Sequence, residues 1–130
     1  MTRAPTASQE IVTWPELKLV DVRIRGCFPP DAAHEATWAT RRAIQSLNAG
    51  PGQHITLYDM TDAAPSPRET VELIRMGFAN PVYKPLWARK VAFCARSLLV
   101  RRQIERLREV RPDIGVFDTR EAALAFLTAV

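Results

Sequence analysis

The chain has little of what marks the commoner metal and group-transfer chemistries. Its 130 residues include only two cysteines, Cys27 and Cys94, and two histidines, His34 and His54. The cysteines lie far apart, with no CxxC and no histidine at ligand spacing, so zinc and iron–sulfur readings have no support and no metal is expected. Neither histidine has a serine or cysteine nucleophile near it in sequence. The five glycines form no phosphate-cradling motif, so no nucleotide loop and no cofactor is expected. No apolar run approaches the ~20 residues a membrane span requires. Met1 to Glu10 is polar or small and carries no secretory signal, so a cytoplasmic protein is expected.

What is present is ordinary globular composition, 47% hydrophobic and 25% charged. At this length one core suffices: a flexible arm over residues 1–9 and a single domain over 10–130. The formal charge of +4 raises nucleic acid as a partner. Much of the excess sits in Arg96 to Arg111, where Arg101/Glu105, Glu105/Arg108 and Arg106/Glu109 stand at helical pair spacing. No aromatic interleaving or helix-turn-helix pattern joins it, so a solvated helix face is favoured over nucleic-acid binding.

Two strands, Ile11–Trp14 and Leu17–Arg25, flank Pro15-Glu16 as a hairpin. Asp31 is placed to cap a helix that runs to about Asn48 and stops at Gly50-Pro51-Gly52. Then follow a strand over Ile55–Met60, a helix over Ser66–Ala79, a rigid Asn80–Trp87 connection, a strand over Lys90–Ala95 and a helix over Ser97–Arg111. A short Ile114–Phe117 strand and a helix over Thr119–Leu127 end the chain. Helices between strands imply parallel pairing, and the apolar Val91–Ala95 run implies a buried sheet centre. The predicted fold is α/β, a mixed, mostly parallel sheet with an N-terminal hairpin and about four helices. Cys94 falls inside the core run and reads as a buried thiol.

The order hairpin, helix, Ile55-Thr-Leu-Tyr-Asp-Met-Thr61, helix, Lys90-Val-Ala-Phe93, helix, and the ending Val116-Phe-Asp-Thr-Arg-Glu-Ala-Ala-Leu-Ala-Phe126 resembles the STAS-like domains related to bacterial anti-sigma-factor antagonists. The resemblance covers nearly the whole chain. It implies a non-catalytic regulatory module that binds a kinase or anti-sigma factor, with a phosphorylatable serine at the start of the helix after the strand ending in Asp59. Ser66 is the counterpart. It departs from the Asp-Ser-Ser-Gly-like pattern, because Pro65 and Pro67 flank it and no glycine follows. Divergent stand-alone members of unassigned function, some likened to lipid-binding domains, also resemble the chain.

The candidate residues follow from this layout. Ser66 and Thr61 are candidate phosphoacceptors, since phosphate at a helix start meets free amides and the positive end of the helix dipole. Ser66-Pro-Arg-Glu69 also reads as a capping box, which by itself explains the serine. Asp59 and Asp62 stand on the strand end as a magnesium or acid–base pair, or as loop-shaping carboxylates. A Cys94–His54–Asp59 constellation is a further, weaker combination. In the helix over residues 31–48, Ala36, Ala39, Ala43, Ile44 and Leu47 form one apolar face, leaving Trp38 outward beside His34 and Arg41. Asp59, Asp62, Trp38 and Arg68 make up the expected interaction surface, toward a protein partner or a second copy. Met76, Phe78, Tyr83 and Trp87 either close the core or line a pocket for an apolar ligand. The functional expectation is a non-catalytic interaction module, with a carrier of a small apolar ligand or lipid as the alternative.

Overall fold

The computed structural model describes residues 7–129. Its five strands are β1 (Ser8–Trp14), β2 (Leu19–Gly26), β3 (Ile55–Ala63), β4 (Lys90–Cys94) and β5 (Gly115–Phe117), and its helices are α1 (Pro30–Ser46), α2 (Arg68–Ala79), α3 (Leu98–Arg108) and α4 (Arg120–Thr128). A short 3-10 segment, Pro81–Leu86, joins α2 to β4. The sheet order is β1-β2-β3-β4-β5, with β1 antiparallel to β2 and the other neighbours parallel.

Because every crossover steps one strand in the same direction, the right-handed rule puts α1, α2 and α3 on one face. The helix α4 has no strand to follow and covers the other. Two cores result. Val91 and Phe93 pack with Val71, Val100, Ile104 and Leu107 on the first face. Leu19, Ile55, Leu57 and Cys94 pack with Ala123 and Leu127 on the second. The continuous apolar β4 therefore has a physical cause, since both its faces are covered. Lys90 anchors the end of α4 by donating to the carbonyls of Phe126 at 2.9 Å and Ala129 at 3.0 Å.

Several local expectations shift. Of the arm expected over 1–9, residues 1–6 lie outside the described residues, while Ser8 and Gln9 already belong to β1. The hairpin turn takes four residues, Pro15 to Lys18, because Lys18 turns through φ +52° before β2 begins at Leu19. In α1, Pro29 is the N-cap and Asp31 sits in the first turn, where it favours the helix dipole without capping. Ala33 and Thr40 are the buried residues of α1, so the inward face is rotated from the Ala39–Ala43 line. Ala122 is exposed on α4, whereas Ala123 and Leu127 are buried. Thr119 caps that helix, its hydroxyl accepting from the Ala122 amide.

The charged face of α3 is largely neutralised. Arg108 pairs with Glu105, and Arg106 with Glu109 and Glu72. Arg101 pairs with Asp118 beyond β5 and not with Glu105, correcting one of the expected helix pairs. No helix among the described residues is long and apolar enough to cross a membrane.

Candidate functional site

The junction after β3 is shaped by a bulge. Between Arg23↔Asp59 and Arg25↔Asp62, β2 advances two residues while β3 advances three. An extra residue on one strand bends it and re-aims the side chains around it. The strand consequently runs on to Ala63, through residues expected to be loop.

The bulge parts the two aspartates. Asp59 Oδ1 accepts from the Thr61 amide at 3.1 Å and the Thr61 hydroxyl at 2.6 Å, and its Oδ2 accepts from Arg120 at 3.3 Å. Burial opposes the Asp59 charge, but the bonds from Thr61, and then those from Cys94 and Arg120, outweigh it and hold the carboxyl below its ordinary range. Asp62 instead lies exposed, 4.0 Å from Arg25. The pair does not converge on a common point, and no cluster of three or more His, Cys, Asp or Glu able to hold a metal occurs among the described residues.

Behind Asp59 lies an ion pair that the sequence reading did not single out. Arg120 at the start of α4 forks onto the buried carboxylate of Asp21, which also accepts from the Trp14 indole at 3.4 Å. The hydrogen bonds from Arg120 to Asp21, opposed by burial, raise the guanidinium pKa further. Asp21 within Leu19–Ile24 was the available signal, because a carboxylate inside an apolar strand requires a partner.

Asp59 and Cys94 are register neighbours on adjacent strands. His54, five positions before Asp59 on β3, falls on the opposite face, so the Cys94–His54–Asp59 constellation does not form. Burial, followed by the charge of Asp59, pushes the Cys94 thiol up to about 11, which leaves it protonated and unreactive at neutral pH.

The Ser66 hydroxyl is not a cap. Pro67 is the N-cap of α2, with no side-chain bond. Pro67 also keeps Ser66 out of helical geometry, and the Ser66 hydroxyl accepts from the Phe28 amide at 3.4 Å. Gln103 on α3 grips the Ser66 backbone, accepting from its amide at 3.0 Å and donating to its carbonyl at 2.6 Å. Thr70 donates to the Phe28 carbonyl at 2.7 Å, so the β2–α1 and β3–α2 connections are tied together. Arg68 is exposed on the first turn of α2.

Beneath these ties, between the sheet and α1, α2 and α3, lies a cavity of about 150 Å³. Its walls are mainly apolar and include Tyr58, Phe93, Ile74 and Ile104, with Phe78, Tyr83 and Trp87 at or beside the 3-10 segment. Met76, expected in this group, is instead exposed. Tyr58 stacks on Phe93 with ring centroids 4.8 Å apart. Burial pushes the Tyr58 phenol up to about 12, although the charges of Arg41 and Arg111 pull the other way.

Arg41 links this cavity to the surface. Its guanidinium lies 3.8 Å from the Tyr83 ring centroid and 4.9 Å from that of Trp38. Trp38 itself is 42% exposed. Gly77 makes room for the arrangement: a Cβ there would stand 3.3 Å from an Arg41 nitrogen, and the Gly77 carbonyl accepts from the Trp87 indole at 3.0 Å.

No protein-family model and no curated protein matches the chain in sequence. Solved structures do match it in fold. An anti-sigma factor antagonist from Mycobacterium paratuberculosis superposes with a TM-score of 0.65 at 11% identity, covering 95% of this chain and 96% of that one. An uncharacterised DUF3478-family protein from Shewanella loihica, with a SpoIIAA-like fold, superposes with a TM-score of 0.65 at 12% identity, covering 98% of this chain and 99% of that one.

Proposed function

On this SpoIIAA-like, STAS-like fold, we propose a non-catalytic regulatory module that takes a small apolar ligand into the cavity between the sheet and α1, α2 and α3. The observation that carries the reading is the cavity of about 150 Å³. Protein interiors are packed nearly as densely as organic crystals, with few voids larger than a water molecule. Apolar cavities of such volume stay dry and accept benzene-sized molecules. Occupancy restores the missing contacts.

The test is denaturing extraction of the purified protein followed by mass spectrometry, with thermal unfolding in the presence and absence of toluene. The reading predicts a released small apolar compound, or a rise in unfolding temperature with toluene that disappears when Ala36→Leu narrows the cavity. Empty extracts from repeated preparations, together with no response to toluene, would overturn it.

The Trp38–Arg41–Tyr83 stack favours a second element of the same reading, contact with a protein partner or a second copy. The structural neighbour named as an anti-sigma factor antagonist supports a partner-binding role. Trp38, Asp62 and Arg68 supply exposed contact groups, and Asp59 shapes the junction from within. The stack runs from the cavity wall at Tyr83 to the surface at Trp38, so ligand occupancy has a physical route to the contact face. Phosphate on Ser66 or Thr61 would act on the same junction, replacing the Ser66–Phe28 or Thr61–Asp59 bond. Light scattering of wild type and Trp38→Ala tests the self-association arm. A dimer lost in the variant supports it, and a monomer in both removes it.

A further inference from the structure

Several polar groups on the cavity walls already have partners within the chain. The Thr40 hydroxyl donates to the Ala36 carbonyl, the Thr70 hydroxyl to the Phe28 carbonyl and the Trp87 indole to the Gly77 carbonyl. Gln103 is committed to the Ser66 backbone.

The Tyr58 hydroxyl differs. The influences on its acidity are burial and the charges of Arg41 and Arg111, with no hydrogen bond among them. Nor is it sealed off. Among the described residues, the enclosed side-chain atoms without a partner are His54 Nε2, Arg75 Nε, Arg108 Nε and Arg111 Nη1, and the Tyr58 oxygen is not one of them. Tyr58 is part-buried and lines the cavity, so an unpaired hydroxyl with accessible surface faces that space. A phenol hydroxyl in a mainly apolar enclosure usually finds a partner.

The surroundings narrow what that partner is. With its pKa pushed up to about 12, the phenol keeps its proton and offers a donor. Arg41 on α1 and Arg111 beyond α3 add positive charge, and no aspartate or glutamate lines the cavity. That field favours an electron-rich atom beside the hydroxyl over a second N–H group. A full negative charge would lose its hydration in an apolar space, and Arg111 is already bound to Ala88 and Asp113.

Resting on the ligand-binding reading above, we infer that the ligand is a small neutral molecule with a single-ring body and one oxygen, hydroxyl or carbonyl, that accepts a hydrogen bond from Tyr58. The size of the cavity limits the body to about that of a benzene ring.

The experiment is calorimetric titration of the wild-type protein and Tyr58→Phe with phenol, aniline and toluene, which have nearly the same volume. A wholly apolar site discriminates against phenol, whose hydroxyl gives up water and gains no partner. Wild type is expected to bind phenol at least as tightly as toluene, and aniline most weakly. Tyr58→Phe keeps the ring that stacks on Phe93. It should weaken phenol about tenfold, the effect of losing one hydrogen bond, while leaving toluene within about twofold. Phenol binding more weakly than toluene, or aniline binding tightest, would overturn the oxygen assignment and leave the ligand-binding reading standing. Phenol binding equally to both proteins would overturn the role given to Tyr58. Should none of the three bind to the folded wild-type protein, both readings fail. The ranking on wild type decides the matter even where the Tyr58 variant does not fold.

Discussion

Asp21 on β2 and Arg120 at the start of α4, 99 positions apart in sequence, form a two-pronged ion pair on the second face of the sheet. The Asp21 carboxylate is buried, while the Arg120 side chain is 23% exposed. This pair ties α4, the one helix on that face among the described residues, to β2, and through the second bond to Asp59 it also ties α4 to β3.

Removing one partner leaves a buried charge without compensation. Arg120→Ala is expected to lower stability by about 3 kcal/mol, read as a shift in urea midpoint. Arg120→Lys should recover only part of the loss, because an ammonium lacks the planar fork that meets both carboxylate oxygens.

Acid sensitivity should begin above the carboxylate range. Burial, reinforced by the positive charge of Arg111, lowers the His54 pKa from 6.5 to about 4. The unfolded chain therefore binds a proton at His54 before the folded one does. Its contribution to stability is complete above pH 6.5 and lost as pH falls toward 4, amounting to about 3 kcal/mol. Asp59, held below its ordinary range, adds a further loss at lower pH as its folded form protonates. Urea titrations from pH 8 to 4 should show the first slope, and His54→Gln should flatten it.

The two thiols should differ sharply in reactivity. Cys94 is buried with its pKa raised to about 11, whereas Cys27 is half-buried. Iodoacetamide at pH 8 should modify the native protein once, at Cys27. Mass spectrometry after Cys27→Ser should then show no rapid modification.

The Gln103 grip on Ser66 should govern the mobility of the junction. Gln103→Ala removes both bonds to the Ser66 backbone, with an expected loss of about 1–2 kcal/mol. Hydrogen exchange should rise over residues 64–67 and remain unchanged in β4.

The sheet was legible because its signals are local and redundant. Val91–Cys94 is apolar on both faces, and Gly50-Pro51-Gly52 stops α1 as expected. The Ser66 cap was misread for the opposite reason. Ser-Pro-Arg-Glu satisfies a capping motif in sequence, yet the hydroxyl accepts from the Phe28 amide, 38 positions away. The β3 bulge left no mark in the hydrophobic pattern, so Asp59 and Asp62 read as a pair although their side chains diverge. In α1, Thr40 turns inward because its hydroxyl is satisfied by the Ala36 carbonyl, so residue polarity alone places Ala36 and Ile44 on the inward face and Trp38 outside it, but misses the rotation that buries Ala33 and Thr40. The cavity is a property of how three helices pack on the sheet. Phe78, Tyr83 and Trp87 pointed to its mouth, but Arg41, Tyr58 and Arg111 reach it from three separate elements.

The central claim is that the space beneath α1, α2 and α3 is a ligand site, and amide and methyl NMR spectra recorded during titration with toluene test it most directly. Saturable shifts confined to cavity-lining residues, including Val71, Ile74, Val91 and Ile104, with no change at Ala123 or Leu127 on the opposite face, are the predicted result. Spectra that do not move at saturating toluene, or that move equally on both faces, would contradict the account.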